Sequence, residues 1–270
     1  MFLYREDAAA GAWAISQASH SWLAWQLACH WGNRQFTRPA PRAEVVAAVL
    51  LHDGGWTEYD AAPGIDSDGR PVTFDRMAVA THLQIWRSCV SRVAIHSRYG
   101  ALLVAAHFAE LAGRKMIDLL SSGDNSGARS TQAFQAEMER LQDGWMEDLK
   151  ADARYETALE GLGRRVNAGI LAACDLVSVM LCASMPFPFP VRAINREGDL
   201  EAMSITTVSD RVFKMSPWPF EGTRIKVHCE GRHLRSVQFS SVRAFREALM
   251  RAKVERVAFV FQSGCAQRIS

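Results

Sequence analysis

Six ionisable side chains lie where a folded chain rarely leaves them alone. His52 and Asp53 close the apolar run AAVLLHD, His107 sits inside LLVAAHFAEL, and Asp175 sits inside ILAACDLVSVML. His20 falls in a tryptophan-rich amphipathic stretch, and His82 opens the run HLQIW. A carboxylate taken out of water must be paired, protonated or bound to metal, and an imidazole there needs partners for both nitrogens. For any one of these histidines, a satisfied core residue is the simpler explanation. Taken together, the six share one solution, which is convergence on a metal centre. Successive members are separated by about one helix and a connection or more, so each can come from a different helix of a bundle interior. His30, His96, His228 and His233 lie at helix ends or in the basic C-terminal stretch and read as structural.

The order H…HD…H…H…D resembles the HD superfamily of metal-dependent phosphohydrolases, specifically its dinuclear members. These include the HD-GYP cyclic-dinucleotide phosphodiesterases and the mixed-valent diiron oxygenases related to myo-inositol oxygenase. A similarity covering nearly the whole chain is to a bacterial family of HD-like proteins. It is carried by Gln17-x-x-His20, HDGGW (52–56), GRP (69–71), the HLQIW run from His82, His107-Phe108 and PWPF (217–220).

The resemblance implies a helical metal site with a division of labour. Asp53 would bridge two ions; His20, His52 and Asp175 would complete one, and His82 with His107 the other. The ions would be two divalent or mixed-valent transition metals, since imidazole and carboxylate donors suit Fe or Mn and also Zn. Such a pair acidifies a bridging water and clamps the oxygens of an in-line displacement. Gln17, one turn before His20 on the same face, can orient a ligand or a bound water. Arg70, Arg87, Glu58 and Asp60 are candidates for substrate contact, and Trp56 and Trp86 for pocket walls. Asp53, Gln17, Arg87 and Arg70 thus form the expected catalytic set. One departure stands out. Many relatives carry a cation or histidine three positions after the bridging Asp, where this chain has Trp56, so a phosphate-neutralising charge must come from elsewhere. The GYP signature is absent as well.

Three functions follow. The first is a dinuclear hydrolase acting on a phosphoester of a small or nucleotide-like, anionic molecule. The second is a diiron oxygenase. The third is a metal-containing sensor or scaffold whose C-terminal module binds a partner.

The elements expected to position these residues are mostly helical. Apolar spacing predicts helices over 12–31, 42–53, 76–97, 99–120, 131–151 and 156–183. Residues 61–75, rich in Pro, Gly and Asp, read as a long loop, and SSGDNSGARS (121–130) as a polar connection. MPFPFPV (185–191) ends helicity. Beyond it, strands are predicted over 202–215, 223–228, 236–240 and 256–262, with a helix over 242–253. The expected fold is mainly α, an HD-type helical bundle over residues 1–190 followed by a small α+β module over 191–270. Charge follows the same division: 17 Lys/Arg against 21 Asp/Glu before position 191, and 14 against 8 after it.

Composition narrows the partners. With 49% hydrophobic and 22% charged residues over 270 positions, the chain is an ordinary globular polypeptide. A formal charge of +2 gives no global reason to expect nucleic acid or an anionic membrane. The basic module has no RNP-like motif and intersperses acids among its cations. The six cysteines form no CxxC pair, which fits reduced thiols in a cytoplasmic protein. The opening MFLYREDAAA lacks the pattern of a secretory signal. Ala168–Ser184 is membrane-like but carries Asp175, so a buried core helix is expected. No P-loop, Rossmann glycine pattern or G-x-S-x-G elbow is present. Oligomeric state is not legible.

Overall fold

The computed structural model describes residues 2–6, 11–185 and 191–264. The opening residues 7–10, the proline run at 186–190 and Cys265 lie outside the described residues. The chain starts with two antiparallel strands, β1 (Phe2–Glu6) and β2 (Ala12–Ser16). Helix α1 (Gln17–His30) follows directly. The predicted single helix over 12–31 is therefore split at Ser16. The residues AWAIS are nearly all buried, so neither a helical nor a strand period shows in them. Pairing with the neighbouring strands decides the outcome. Ser16 is extended, and its hydroxyl accepts from the Ser19 N–H, which caps the helix and fixes where it begins.

Helix α2 (Arg42–Leu51) leads through a short 3-10 turn at Gly54–Trp56 into α3 (Thr57–Ala61). Then come α4 (Val79–His96), α5 (Arg98–Ser121) and α6 (Asn125–Leu149). Much of the expected polar connection at 121–130 is the first turns of α6. Asp124 accepts from the Gly127 N–H at 2.8 Å, so these polar residues cap a helix. A short α7 (Glu156–Leu159) breaks at Glu160 before α8 (Gly161–Cys182). α8 is long and apolar enough to cross a membrane by length and composition. Its apolar side chains are instead spent on the interior, where it packs against α1, α2 and α5.

The remaining elements are β3 (Val191–Ile194), β4 (Leu200–Ser209), β5 (Val212–Ser216), β6 (Arg224–Leu234), α9 (Val242–Arg251) and β7 (Val254–Ser263). They join the two N-terminal strands in a seven-stranded mixed sheet of order β1-β2-β6-β7-β5-β4-β3, with β5 and β7 parallel. This overturns the expected fold. The molecule is not a mainly α HD-type bundle with a small C-terminal module, because strands from both ends of the chain build one large sheet. β2 pairs with β6 through Ala12–Leu234, Trp13–His233 and Ala14–Arg232. One continuous core runs from the sheet (Ile15, Val227, Phe259) into the helices (Leu23, Leu102, Leu171).

Three local contacts tie the layers together. Arg5 Nη1 on β1 donates to the Leu181 carbonyl at the end of α8 at 2.7 Å. PWPF closes the end of α1: the Gly32 N–H donates to the Pro219 carbonyl at 2.8 Å, and the Trp31 and Phe220 rings meet edge to face. The segment 236–240, expected as a strand, is irregular and clasps the loop 61–75. The Phe239 N–H donates to the Gly69 carbonyl at 2.8 Å, and Arg246 Nε to the Pro63 carbonyl at 2.9 Å. Gly69 has φ +75, and a Cβ there would stand 2.3 Å from the Phe239 carbonyl oxygen, so this approach needs glycine.

Because β6 needs β2 on one side and α1 on its face, the C-terminal strands are incomplete alone. A fragment of residues 191–270 is expected to be unfolded by near-UV circular dichroism and proton chemical-shift dispersion. A cooperatively folded fragment would contradict this account of the sheet.

Candidate metal centre

Four helical segments deliver the site. α1 supplies Gln17 and His20 on one face, one turn apart. His52 ends α2, and Asp53 follows before the 3-10 turn. α5 supplies His107, and α8 supplies Asp175 and Ser178. The turn after Asp53 requires Gly55. A Cβ at that position would lie 2.5 Å from the Ile85 carbonyl oxygen and 2.8 Å from the Cys89 backbone nitrogen, so α4 passes directly over the backbone. The HDGG segment thereby lies flush against α4.

Donor atoms of His20, His52, Asp53 and Asp175 all lie within 4.8 Å of one another. His20 Nε2 is 2.9 Å from Asp53 Oδ2 and 3.7 Å from Asp175 Oδ1. His52 Nε2 is 3.1 Å from Asp175 Oδ1 and 3.6 Å from Asp53 Oδ2. Ligands at about 2.0–2.2 Å around a single ion stand roughly 3–3.6 Å from their neighbours. These four donors therefore have the spacing of one coordination shell.

The far side of each imidazole settles its tautomer. His52 Nδ1 is 2.7 Å from the Val49 carbonyl, which can only accept, so Nδ1 carries a proton. His20 Nδ1 is 2.7 Å from Ser178 Oγ, and that hydroxyl already donates to the Asp175 carbonyl at 2.8 Å. The hydroxyl is thus left to accept, and His20 Nδ1 donates. In the neutral rings both Nε2 atoms present lone pairs to carboxylate oxygens, which also have only lone pairs. A cation must lie between them, either a proton on each ring or a metal ion. Burial disfavours charge on His52, but Asp53 and Asp175 outweigh that and push its pKa up to about 9 when no ion is bound. Both carboxylates are held below their usual range by the histidines, against the opposing effect of burial.

The remaining expected ligands are nearby but not part of this shell. His107 Nε2 faces the second oxygen of Asp175 at 3.2 Å, so Asp175 spans His52 on one side and His107 on the other. His82 sits between the Trp56 and Trp86 rings, at 5.4 and 4.5 Å between centroids. Burial, with Lys115 adding, lowers its pKa to about 4, so it is neutral at physiological pH. His82, His107, Asp53 and Asp175 line one cavity of 340 Å³. Gln17 also lines it, and Trp56, Phe74, Trp86 and Phe108 form its aromatic wall.

The expected substrate cations are elsewhere. Arg70 is exposed on the loop, with its N–H on Asp66 Oδ1 at 2.9 Å. Arg87 pairs with Glu137 at 2.8 Å and lies over the Phe134 ring. Glu58 pairs with Arg92, and Asp60 accepts from the Gln17 N–H at the start of α1. The cavity is lined instead by Arg114 and Lys115 of α5, which sequence reasoning passed over. They stand seven and eight residues after His107, which puts them on the same helical face. Ser178 was missed too, three residues after Asp175 and therefore beside it.

A family model described as "Protein of unknown function (DUF3891)" matches residues 2–236. The chain belongs to this family. The DUF3891 match takes in all six candidate ligands and runs from β1 through β6, ending before α9. No curated protein and no solved structure matches the chain.

Two outcomes follow for this DUF3891 site. Ser178→Ala removes the acceptor that orients His20 and is expected to weaken metal affinity about 10–100-fold with little change in fold, measured by competition with a chelating dye. In chelator, the His52 interaction is fully present below its unfolded pKa of 6.5 and is lost as pH rises through about 9. The melting temperature of metal-free protein should therefore drop over that interval, and the drop should shrink in His52→Gln. An unchanged pH profile in the variant would count against the charge pairing.

Proposed function

We propose that this chain is a metal-dependent hydrolase of the HD type, acting on a phosphoester of a small or nucleotide-like anionic molecule in the cytoplasm. The observation that carries it is the cluster in which two buried imidazoles face two half-buried carboxylates, an arrangement suited to a metal ion. All four donors are nitrogen or oxygen, which fits Fe or Mn, and Zn also. His20, His52, Asp53 and Asp175 would hold one ion. His107, already against the outer oxygen of Asp175, and His82 would serve a second. The HD-like order of these residues agrees with that assignment. Free thiols at Cys89, Cys174, Cys182 and Cys229, all buried, suit a reducing compartment.

A metal bound here supplies Lewis acidity and an acidified water. The chain's own residues do the rest. Lys115, with Arg114 beside it, lines the cavity and provides the positive charge that the missing motif lysine would have given. Trp56, Phe74 and Trp86 take up the organic part and exclude water around the centre. Gln17 offers an amide to a water or phosphoryl oxygen at the cavity floor. His82 is neutral and able to ligate or to accept a proton at a ring nitrogen.

A mixed-valent diiron oxygenase is the second possibility, favoured by His82 and His107 sharing the cavity with both carboxylates. Elemental analysis of protein purified without added metal separates the cases. About two ions per chain, lost in His52→Ala/Asp53→Ala, are expected. Protein loaded with Mn or Fe should hydrolyse members of a phosphoester panel, and Lys115→Gln should raise KM about tenfold with metal content unchanged. Fully metallated protein that turns over none of the panel would rule out the hydrolase. Oxygen consumption with a mixed-valent iron signal would favour the oxygenase, and an exclusively Zn-bound site would exclude it.

A further inference from the structure

Behind the metal centre lies a second cleft of 570 Å³, and the two cavities meet at His107, Leu111, Arg114, Asp175 and Leu176. Three arginines from three elements line it: Arg114 of α5, Arg165 of α8 and Arg192 of β3. Its lining on α8 includes the small residues Ala168, Gly169, Ala172 and Ala173. Glu110 is the acid at the rim, and it is already paired with Arg114. Arg165 donates to the Gly198 carbonyl at 3.4 Å. Neither Arg165 nor Arg192 has a carboxylate partner among the described residues, and both are exposed. The cleft therefore holds uncompensated positive charge beside Asp175, whose own charge faces His52 and His107.

We propose that this cleft seats a second phosphoryl group of the substrate, so that the molecule processed carries two separated anionic groups. One phosphate would meet the metal centre, and the other would be held by Arg165 and Arg192, with Arg114 at the junction. The organic part would lie against the aromatic wall of the first cavity. Arginine forks match phosphoryl oxygens pairwise, and convergence from a helix face, a second helix and a sheet edge fits a group with several oxygens. The inference rests on the phosphoester assignment for the metal centre, but its own site contains none of the four shell residues except Asp175 at the boundary.

The test uses the 270-residue chain stripped of metal by chelator, titrated calorimetrically at low salt with inorganic pyrophosphate and succinate. Pyrophosphate is expected to bind the metal-free chain and succinate to bind at least tenfold more weakly. Arg165→Glu/Arg192→Glu should weaken pyrophosphate binding at least tenfold, and Arg165→Gln/Arg192→Gln should weaken it in the same direction. Lys226→Glu, an exposed charge on β6, should leave it unchanged and so controls for net charge. Equal pyrophosphate affinity in the arginine variants, or succinate binding as tightly as pyrophosphate, would overturn the assignment. Metal content is read separately on the same proteins. A chain that holds no metal yet binds pyrophosphate through these arginines would sink the hydrolase and leave the cleft standing. A metallated chain whose affinity ignores Arg165 and Arg192 would do the reverse.

Discussion

Asp53 and Asp175 are half-buried carboxylates on the wall of a cavity, and the imidazoles beside them have already committed their outer nitrogens to Val49 and Ser178. Two imidazole nitrogens thus face two carboxylate oxygens across distances of 2.9–3.7 Å. In a low-dielectric setting such a group is stable only around positive charge. Much of the surrounding architecture can be understood as holding that repulsive set in place. Gly55 lets α4 press against the turn behind Asp53, the Ser16 cap fixes the register of α1, and α8 carries its one acid in an otherwise apolar run.

The division of the surroundings is equally physical. One side of the centre is aromatic and the other is lined by arginines, with His107 and Asp175 at the seam. The helices carry the donors, while β3 at the sheet edge contributes Arg192. The sheet is therefore more than a support for the helices. It supplies part of the cleft that shares His107 and Asp175 with the candidate centre.

The clustering of His20, His52, Asp53 and Asp175 was legible because each residue breaks an apolar run, and a lone charge or imidazole in such a run demands an explanation. The sheet was not. β2 is buried on both faces, so its five residues carry no period, and β1 and β3 are too short to show one. Pairing between residue 12 and residue 234 is a long-range fact that local spacing does not encode. The cations of the cavity are hidden for a related reason. Arg70 and Arg87 stand near the motifs in sequence but do not line it, whereas Arg114 and Lys115 reach it by helical phase from His107. Ser178 was overlooked because a serine in an apolar helix looks inert until its hydroxyl is seen to join a ring nitrogen and a backbone carbonyl.

The Arg5–Leu181 hydrogen bond gives the first strand an influence out of proportion to its size. β1 clamps the carbonyl end of the helix that bears Asp175, and Leu3 of the same strand lines the aromatic cavity. A disturbance that frays this strand would be transmitted through Leu181 along α8 to Asp175, a carboxylate 170 positions from Arg5 in sequence.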